Sequence, residues 1–439
     1  MKDKTNATST HFRWVIVSLL FLISMLNYVD RASMGFAITL IAKDFQFSQQ
    51  DIGLILSAFG LGYIFSTFLG GIAADKIGAK KTLSISTLLW SFSILCLGFT
   101  SNFYVFVTLR VLFGLSEGPN FPCVTRAISD WLPEDERARA FTFSLVAVPI
   151  SLGLGGLLVS YIISMIGWRA CFFVLSALTL LWLPLWQMLF TNKPHDSKHV
   201  NAQEIQTIEA TSTLKDVISL GKSPWKALCS NKTLLSNNFG FFVFGFYLNF
   251  FMNWLPTYLM EVQHIPFKEL GYYALMPWAL AALLLWVIGI LSDKIFQKTK
   301  NLRYARTYPI IVTQALAVVF MISINFTQDL NWIIAFISGG VGFAMSSNAP
   351  FYAVNVDVAK KRAATSLGLM TLCFSISSII APALSGYIVQ LTGSFADVFY
   401  FMAGLGVLSI ILMFCYHNRS SSSCIGTIYG RNENTAEQH

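Results

Sequence analysis

The sequence predicts an all-α membrane protein, with twelve transmembrane helices in two six-helix bundles. Three observations carry this expectation. The first is composition: of 439 residues, 55% are hydrophobic and only 12% charged, whereas a soluble chain carries roughly 25% charged residues. The second is spacing. Apolar segments fall at 14–41, 52–73, 82–100, 103–125, 139–165 and 169–190, and again at 235–260, 269–291, 307–326, 329–353, 363–390 and 395–416. Each is close to the roughly 20 residues that a spanning helix needs. The third is an internal repeat. A shift of 218 lays "GIAADKIG" (Gly71 to Gly78) over "GILSDKIF" (Gly289 to Phe296), and Gly53 over Gly271. A shift of 228 lays "GLSEGPNFP" (Gly114 to Pro122) over "GFAMSSNAP" (Gly342 to Pro350).

Basic residues orient the spans. With the N-terminus inside, 25 of the 30 Lys and Arg fall on inner segments, and only Lys43, Arg169 and Lys268 fall at the outer face. This is a strong positive-inside bias, so both termini are expected in the cytoplasm. The net charge of +8 is then an inner-face rim against lipid, not a nucleic-acid surface. The expected divisions are 1–190 for the first bundle, 191–234 for a cytoplasmic linker, 235–417 for the second bundle and 418–439 for a cytoplasmic tail. A short linker helix is expected around Ala202 to Ala210. The N-terminus is polar and reads as no cleavable signal. Seven cysteines without a C-x-x-C pair predict neither a disulfide framework nor a metal site, and no cofactor motif is found.

Span 1 contains "NYVDRASMGF", with Asp30 beside Arg31 inside an apolar run. Charges at that depth cost several kcal/mol and mark bundle interiors or wet cavities. Span 4 contains "RVLFGLSEGPNFP", in which Glu117 follows Arg110 by two helical turns, about 10 Å along the same face. Counted from the span ends, Asp30, Arg31 and Arg110 come to similar depths, with Glu117 deeper. Asp30 is therefore expected to pair with an arginine. The competing reading is a permanent ion pair that holds helices together.

The loop after span 2, "GGIAADKIGAKK", brings Gly71, Asp75, Lys76, Gly78, Lys80 and Lys81. Gly71 is expected to allow close helix packing, and Asp75 to sit near a helix N-terminus. The spacing resembles the signature loop of the major facilitator superfamily, and the span-4 R-x-x-x-G-x-x-x-G (Arg110, Gly114, Gly118) resembles a second motif of the same superfamily. With "GWRACF" opening span 6, the span-1 and span-4 motifs resemble its anion:cation symporter family, which includes bacterial sugar-acid transporters and the sialin-like carriers. That resemblance covers the whole chain. It implies that Asp30 and Glu117 take part in proton coupling, and that Arg31 and Arg110 contact or organise an anionic substrate with Tyr28 beside them. It also implies gating by the span-2 loop. The outer loop between spans 1 and 2 is short, which favours a bacterial inner-membrane protein.

The second half lacks these charges and instead carries Asn249, Asn253, Ser346, Ser347, Asn348 and Asn355. Such groups suit a hydroxyl-rich ligand, and equally suit hydrogen bonding between helices. The expected function is proton-coupled symport of a small organic anion by a monomer, with an exchanger or exporter as the alternative within the class. A non-transporting membrane sensor needs an output domain that the linker and tail are too short to supply. No nucleophile–base set or phosphate-binding loop points to an enzyme or a nucleotide-driven pump.

Overall fold

The computed structural model describes residues 10–209, 228, 230–299, 301, 303–359 and 363–417. The expected tail, 418–439, and much of the linker lie outside the described residues. Among them the helices are α1 (Phe12–Phe45), α2 (Gln49–Ile77), α3 (Ala79–Leu97), α4 (Phe103–Glu117), α5 (Asn120–Trp131), α6 (Glu134–Leu189) and α7 (Ala202–Glu209). They continue as α8 (Lys232–Glu261), α9 (Phe267–Thr299), α10 (Tyr308–Ser323), α11 (Leu330–Ser346), α12 (Asn348–Ala359), α13 (Ala363–Thr392) and α14 (Phe395–Tyr416). Nine helical stretches among the described residues are long and apolar enough to cross a membrane.

Local chemistry sets the helix ends. Ser48 and Asp51 form a reciprocal capping box at the start of α2, which satisfies two backbone donors that the first turn leaves free. Asn102 caps α4 through the N–H groups of Tyr104 and Val105, and Asp329 caps α11 in the same way. Gly78 joins α2 to α3 at φ 87°, a region that side-chain-bearing residues avoid. This is the physical reason for the glycine that closes the span-2 loop motif. Gly167, at φ 82°, breaks the long α6 in the same way; unbroken, its 56 residues would extend about 84 Å, far beyond a bilayer.

The described residues cluster into two compact units. One comprises Met1–Ile218, Phe250–Ala279 and Ser378–Gly393; the other comprises Ser219–Asn249, Leu280–Ser377 and Ser394–His439. In the first unit, the α2–α4 interface is backbone on backbone. A Cβ on Gly114 would strike the Phe59 carbonyl, one on Gly118 the Ser66 hydroxyl, and one on Gly62 the Val111 carbonyl. The glycine spacing of span 4 is thus a packing ridge against α2. Gly71 is not part of it: a Cβ there meets only Pro122, at 3.9 Å, whereas Gly70 is pressed onto Pro119. The expected close-packing glycine is one residue earlier, because the α2 face turned to Pro119 carries Gly70.

The same unit joins α1 and α2 to the last turns of α8 and α13. A Cβ on Gly35 would lie 2.6 Å from the Met252 carbonyl, and one on Gly386 would lie 2.5 Å from the Gln49 carbonyl. The hydroxyls of Thr39 and Thr257 share a hydrogen bond of 3.0 Å. These two threonines are 218 positions apart, the repeat shift itself. Gln49 donates to Glu261 at 2.9 Å.

Glu204 anchors α7. Its carboxylate accepts from the backbone N–H of Phe12 and of Arg13, each at 3.0 Å, from the Thr10 hydroxyl, and from the Arg13 guanidinium at 3.1 Å. Arg13 also grips Glu136 at 2.7 Å. A carboxylate on the first amides of a helix is favoured by the helix dipole. In the second unit, Tyr247 on α8 donates to the Met402 carbonyl and Asn237 to the Phe351 carbonyl, which ties α8 to α14 and α12.

Candidate functional site

The charges inside α1 and α4 meet in one buried cluster. Arg31 Nε donates to Glu117 Oε2 at 2.6 Å, with the arginine side chain 5% exposed and the glutamate fully buried. The guanidinium carbon also lies 4.9 Å from the Tyr28 ring centroid, 4.7 Å from Phe59 and 4.4 Å from Tyr63. An arginine among three ring faces is held by cation–π attraction as well as by its partner charge. Arg31 Nη2 and Glu117 Oε1 are buried without a protein partner. One donor edge of the arginine and one oxygen of the glutamate therefore remain available.

Asp30 is not paired with an arginine, contrary to expectation. Its Oδ2 accepts from the Trp90 indole at 2.8 Å and from the Thr179 hydroxyl at 2.9 Å, and Oδ1 has no protein partner. The reason is angular. Adjacent helical residues point about 100° apart, so when Arg31 faces α2 and α4, Asp30 is turned to α3 and α6. Glu117 takes the arginine instead.

Arg110 is engaged with α2. It donates to the carbonyls of Ile55 and Leu56, both at 3.4 Å, and lies 5.2 Å from the Phe59 ring centroid. Both guanidiniums thus lie against the Phe59 ring. Phe59, Tyr63, Trp90 and Thr179 escape the sequence reading. The pairing of Phe59 with Tyr63 at i,i+4 on span 2 is a usable signal, as is Trp90 within the hydroxyl-rich "SISTLLWSFS".

Asp75 pairs with Arg126 on α5 at 3.1 Å, and Arg126 also holds Asp130 at 2.8 Å. Lys80 donates to the Gln187 carbonyl, and its backbone N–H to Asn192. The repeat copy behaves similarly: Asp293, equivalent to Asp75, pairs with Arg306 at 2.7 Å. Among the neutral candidates of the second half, Ser346 and Ser347 bond to carbonyls of their own helix, those of Phe343 and Ala344. Asn249 likewise donates to Gly245, and Asn348 Oδ1 is buried without a protein partner. Asn249 and the residues of α11 and α12 belong to the second compact unit, whereas the charge cluster belongs to the first.

The model of the Major Facilitator Superfamily matches residues 20–382, most of the chain. The chain belongs to this superfamily. It is 31% identical over 410 residues to a protein of Cupriavidus necator named as a probable sulfoacetate transporter, covering 92% of this chain and 93% of that one. It is 28% identical over 398 residues to a hexuronate transporter of Bacillus subtilis, covering 90% and 92%. A probable galactarate/D-glucarate transporter of Bacillus subtilis is 31% identical over 422 residues, covering 92% and 91%. The fold is also that of a bacterial homolog of the human lysosomal transporter Spinster, in an inward-facing and occupied conformation. That match has a TM-score of 0.76 at 16% identity, over 94% of this chain and 98% of that one. A D-xylose–proton symporter matches with a TM-score of 0.69 at 16% identity, over 94% and 99%. The protein is therefore a multi-pass membrane transporter of the superfamily, and its relatives are the anion carriers that the motif resemblance pointed to.

Proposed function

We propose that the protein imports a small organic anion, a sugar acid or related carboxylate, together with protons. The observation that carries this reading is the buried Arg31–Glu117 pair at 2.6 Å. A carboxylate substrate and Glu117 compete for the same guanidinium. While Glu117 is charged it occupies the arginine; once it takes a proton, Arg31 is released to grip the substrate in the bidentate manner that guanidinium and carboxylate favour. Binding then requires a proton, and the two move together. The relatives named for sulfoacetate, hexuronate and galactarate are all carriers of acids.

In this reading Tyr28, Arg31 and Arg110 of the first unit recognise the anionic group, and Asn249, Ser346, Ser347 and Asn348 of the second unit are assigned to neutral polar groups of the substrate. Asp30 serves as a second proton carrier. We assign twelve spans in two six-helix bundles, because α6 is broken at Gly167 and α4 continues into α5, as α11 does into α12. The bundles are 1–190 and 235–417. The seam of Gly35, Thr39 and Gln49 against α8 and α13 is the closed outer gate, and the loop of Gly71, Asp75, Lys76, Gly78, Lys80 and Lys81 acts at the inner one. The basic bias of one set of loops supports cytoplasmic termini and a bacterial inner-membrane location.

Glu117→Gln tests the reading. The variant should bind substrate at all pH values and exchange it across proteoliposomes, but should not accumulate it under a proton gradient. Gradient-driven accumulation by this variant would overturn the assignment.

A further inference from the structure

Three buried polar side chains sit just beside the charge cluster with hydrogen-bonding atoms that no protein group meets. Asn27 is 0% exposed and Asn120 1%, and in each both amide atoms are unpartnered. Thr87 is 0% exposed and its hydroxyl is unpartnered. All three lie one helical turn from the cluster in the same direction. Asn27 precedes Asp30 by three residues on α1, Thr87 precedes Trp90 by three on α3, and Asn120 follows Glu117 by three. Each step is about 5 Å, toward the end where α1 begins, since α3 runs with α1 and α4 against it.

Helix phase brings the two asparagines inward. At about 100° per residue, Asn27 projects between the directions of Asp30 and Arg31. Gly118 and Pro119 keep helical angles across the α4–α5 joint, so Asn120 projects between Ser116 and Glu117. α5, which Asn120 opens, packs against both α3 and α1, the helices that meet the preceding turn: the Ser86 hydroxyl of α3 donates to the Ser116 backbone carbonyl, and Arg31 of α1 donates to Glu117.

Buried polar atoms are costly unless bonded, and water is the usual partner inside a protein. The donor set also discriminates against a metal ion. An asparagine presents an N–H₂ donor and a carbonyl acceptor; a cation satisfies only the acceptor, while water satisfies both. We propose that Asn27, Asn120 and Thr87 hold an internal water cluster that connects the carboxyl groups of Asp30 and Glu117 and relays a proton between them. The two unpartnered carboxylate oxygens, Asp30 Oδ1 and Glu117 Oε1, are its ends. As one acid gives up its proton to the nearest water, the last water protonates the other carboxylate, so no charge is created along the chain. The ionisable groups around it are Asp30, Arg31, Glu117, Arg110, the Tyr28 and Tyr63 hydroxyls and the Cys171 thiol of α6. The relay rests on the proton-coupled reading; the water site does not.

The experiment uses Asn27→Leu and Asn120→Leu, apolar replacements of similar size, in purified protein and in proteoliposomes. If water is held there, both variants melt several degrees lower, because the cluster loses its anchors. If the pocket is dry, removing an unbonded amide raises the melting point, and a rise in both overturns the site. For the relay, both variants should lose proton-driven accumulation while retaining substrate exchange, and accumulation at the wild-type rate overturns it. Asn27→Ser and Asn120→Ser, which keep a polar anchor, should restore accumulation, and they carry the same test if a leucine variant does not fold. Absence of proton-driven accumulation in the wild-type protein would instead sink the coupling reading and the relay with it, while the melting shifts still decide the water site.

Discussion

Arg31 is held in two ways: by the Glu117 carboxylate and by three aromatic faces. Lysine at this position keeps a charge but has no planar fork and stacks poorly. A charge-assisted hydrogen bond contributes about 1.5–3 kcal/mol, so Arg31→Lys should weaken substrate binding roughly tenfold to a hundredfold, read by calorimetry on protein that expresses normally. Unchanged affinity would remove Arg31 from the anion site. Glu204 predicts a pH effect of the opposite kind, on stability. Burial pushes its carboxyl up, but the amides of Phe12 and Arg13, the Thr10 hydroxyl and the Arg13 guanidinium outweigh burial, and it stands below its ordinary value. A depressed carboxyl stabilises the fold at pH above its unfolded value, near 4.3, and that contribution is lost as pH falls through the folded value. The melting point should therefore drop with acid below about pH 4. In Glu204→Gln that acid-dependent part should vanish, on a melting point already lower at neutral pH.

At the scale of the element, the informative contacts are between backbones. α2 and α4 touch through Gly62, Gly114 and Gly118, and α1 touches α8 through Gly35. A carbonyl cannot rotate away as a side chain can, so an added side chain must part the helices. Gly35→Leu should therefore open the α1–α8 seam and shift the protein toward the outward-open state. A cysteine placed at Thr39 should then react faster with a membrane-impermeant thiol reagent added from outside. Equal labelling in the presence and absence of the leucine would mean that the seam is not the gate. Gly78 and Gly167 act differently: their positive φ values make turns, and the first explains the glycine of the loop motif by backbone angle. The apolar periodicity identifies the helices, but a continuous run cannot say which of Gly70 and Gly71 meets Pro119. That choice depends on how α2 is rotated against α5.

For the whole molecule, the proposed coupling gives the two intramembrane acids control of the energetics of transport. One proton with a monoanion moves no net charge, whereas two protons move one positive charge, worth about 2.3 kcal/mol per 100 mV. In the proposed mechanism Glu117 competes for the substrate arginine, while Asp30 is held apart by Trp90 and Thr179, so the acids have distinct partners and each can hold a proton. We expect electrogenic uptake, with two protons per monoanion. Adding substrate to proteoliposomes at symmetric pH should produce an inward current. An active protein that gives none transports one proton, which leaves one acid a structural role.

The sequence by itself determined what solvation energy dictates. Segments of about 20 apolar residues must be helices in lipid, the few charges among them must face inward, and basic loops mark one side. It also carried the glycine spacings and the repeat, down to Thr39 and Thr257, which touch at the repeat's own interval. Only the tertiary structure decided the partners. Asp30 and Arg31 are neighbours in sequence yet serve different helices, because a helix turns about 100° at each residue. Trp90, Thr179, Phe59 and Tyr63 reach these charges from three other helical stretches, at separations up to 149 residues. A partner that distant is chosen by how each helix is rotated within the packed bundle, and no local pattern encodes that rotation.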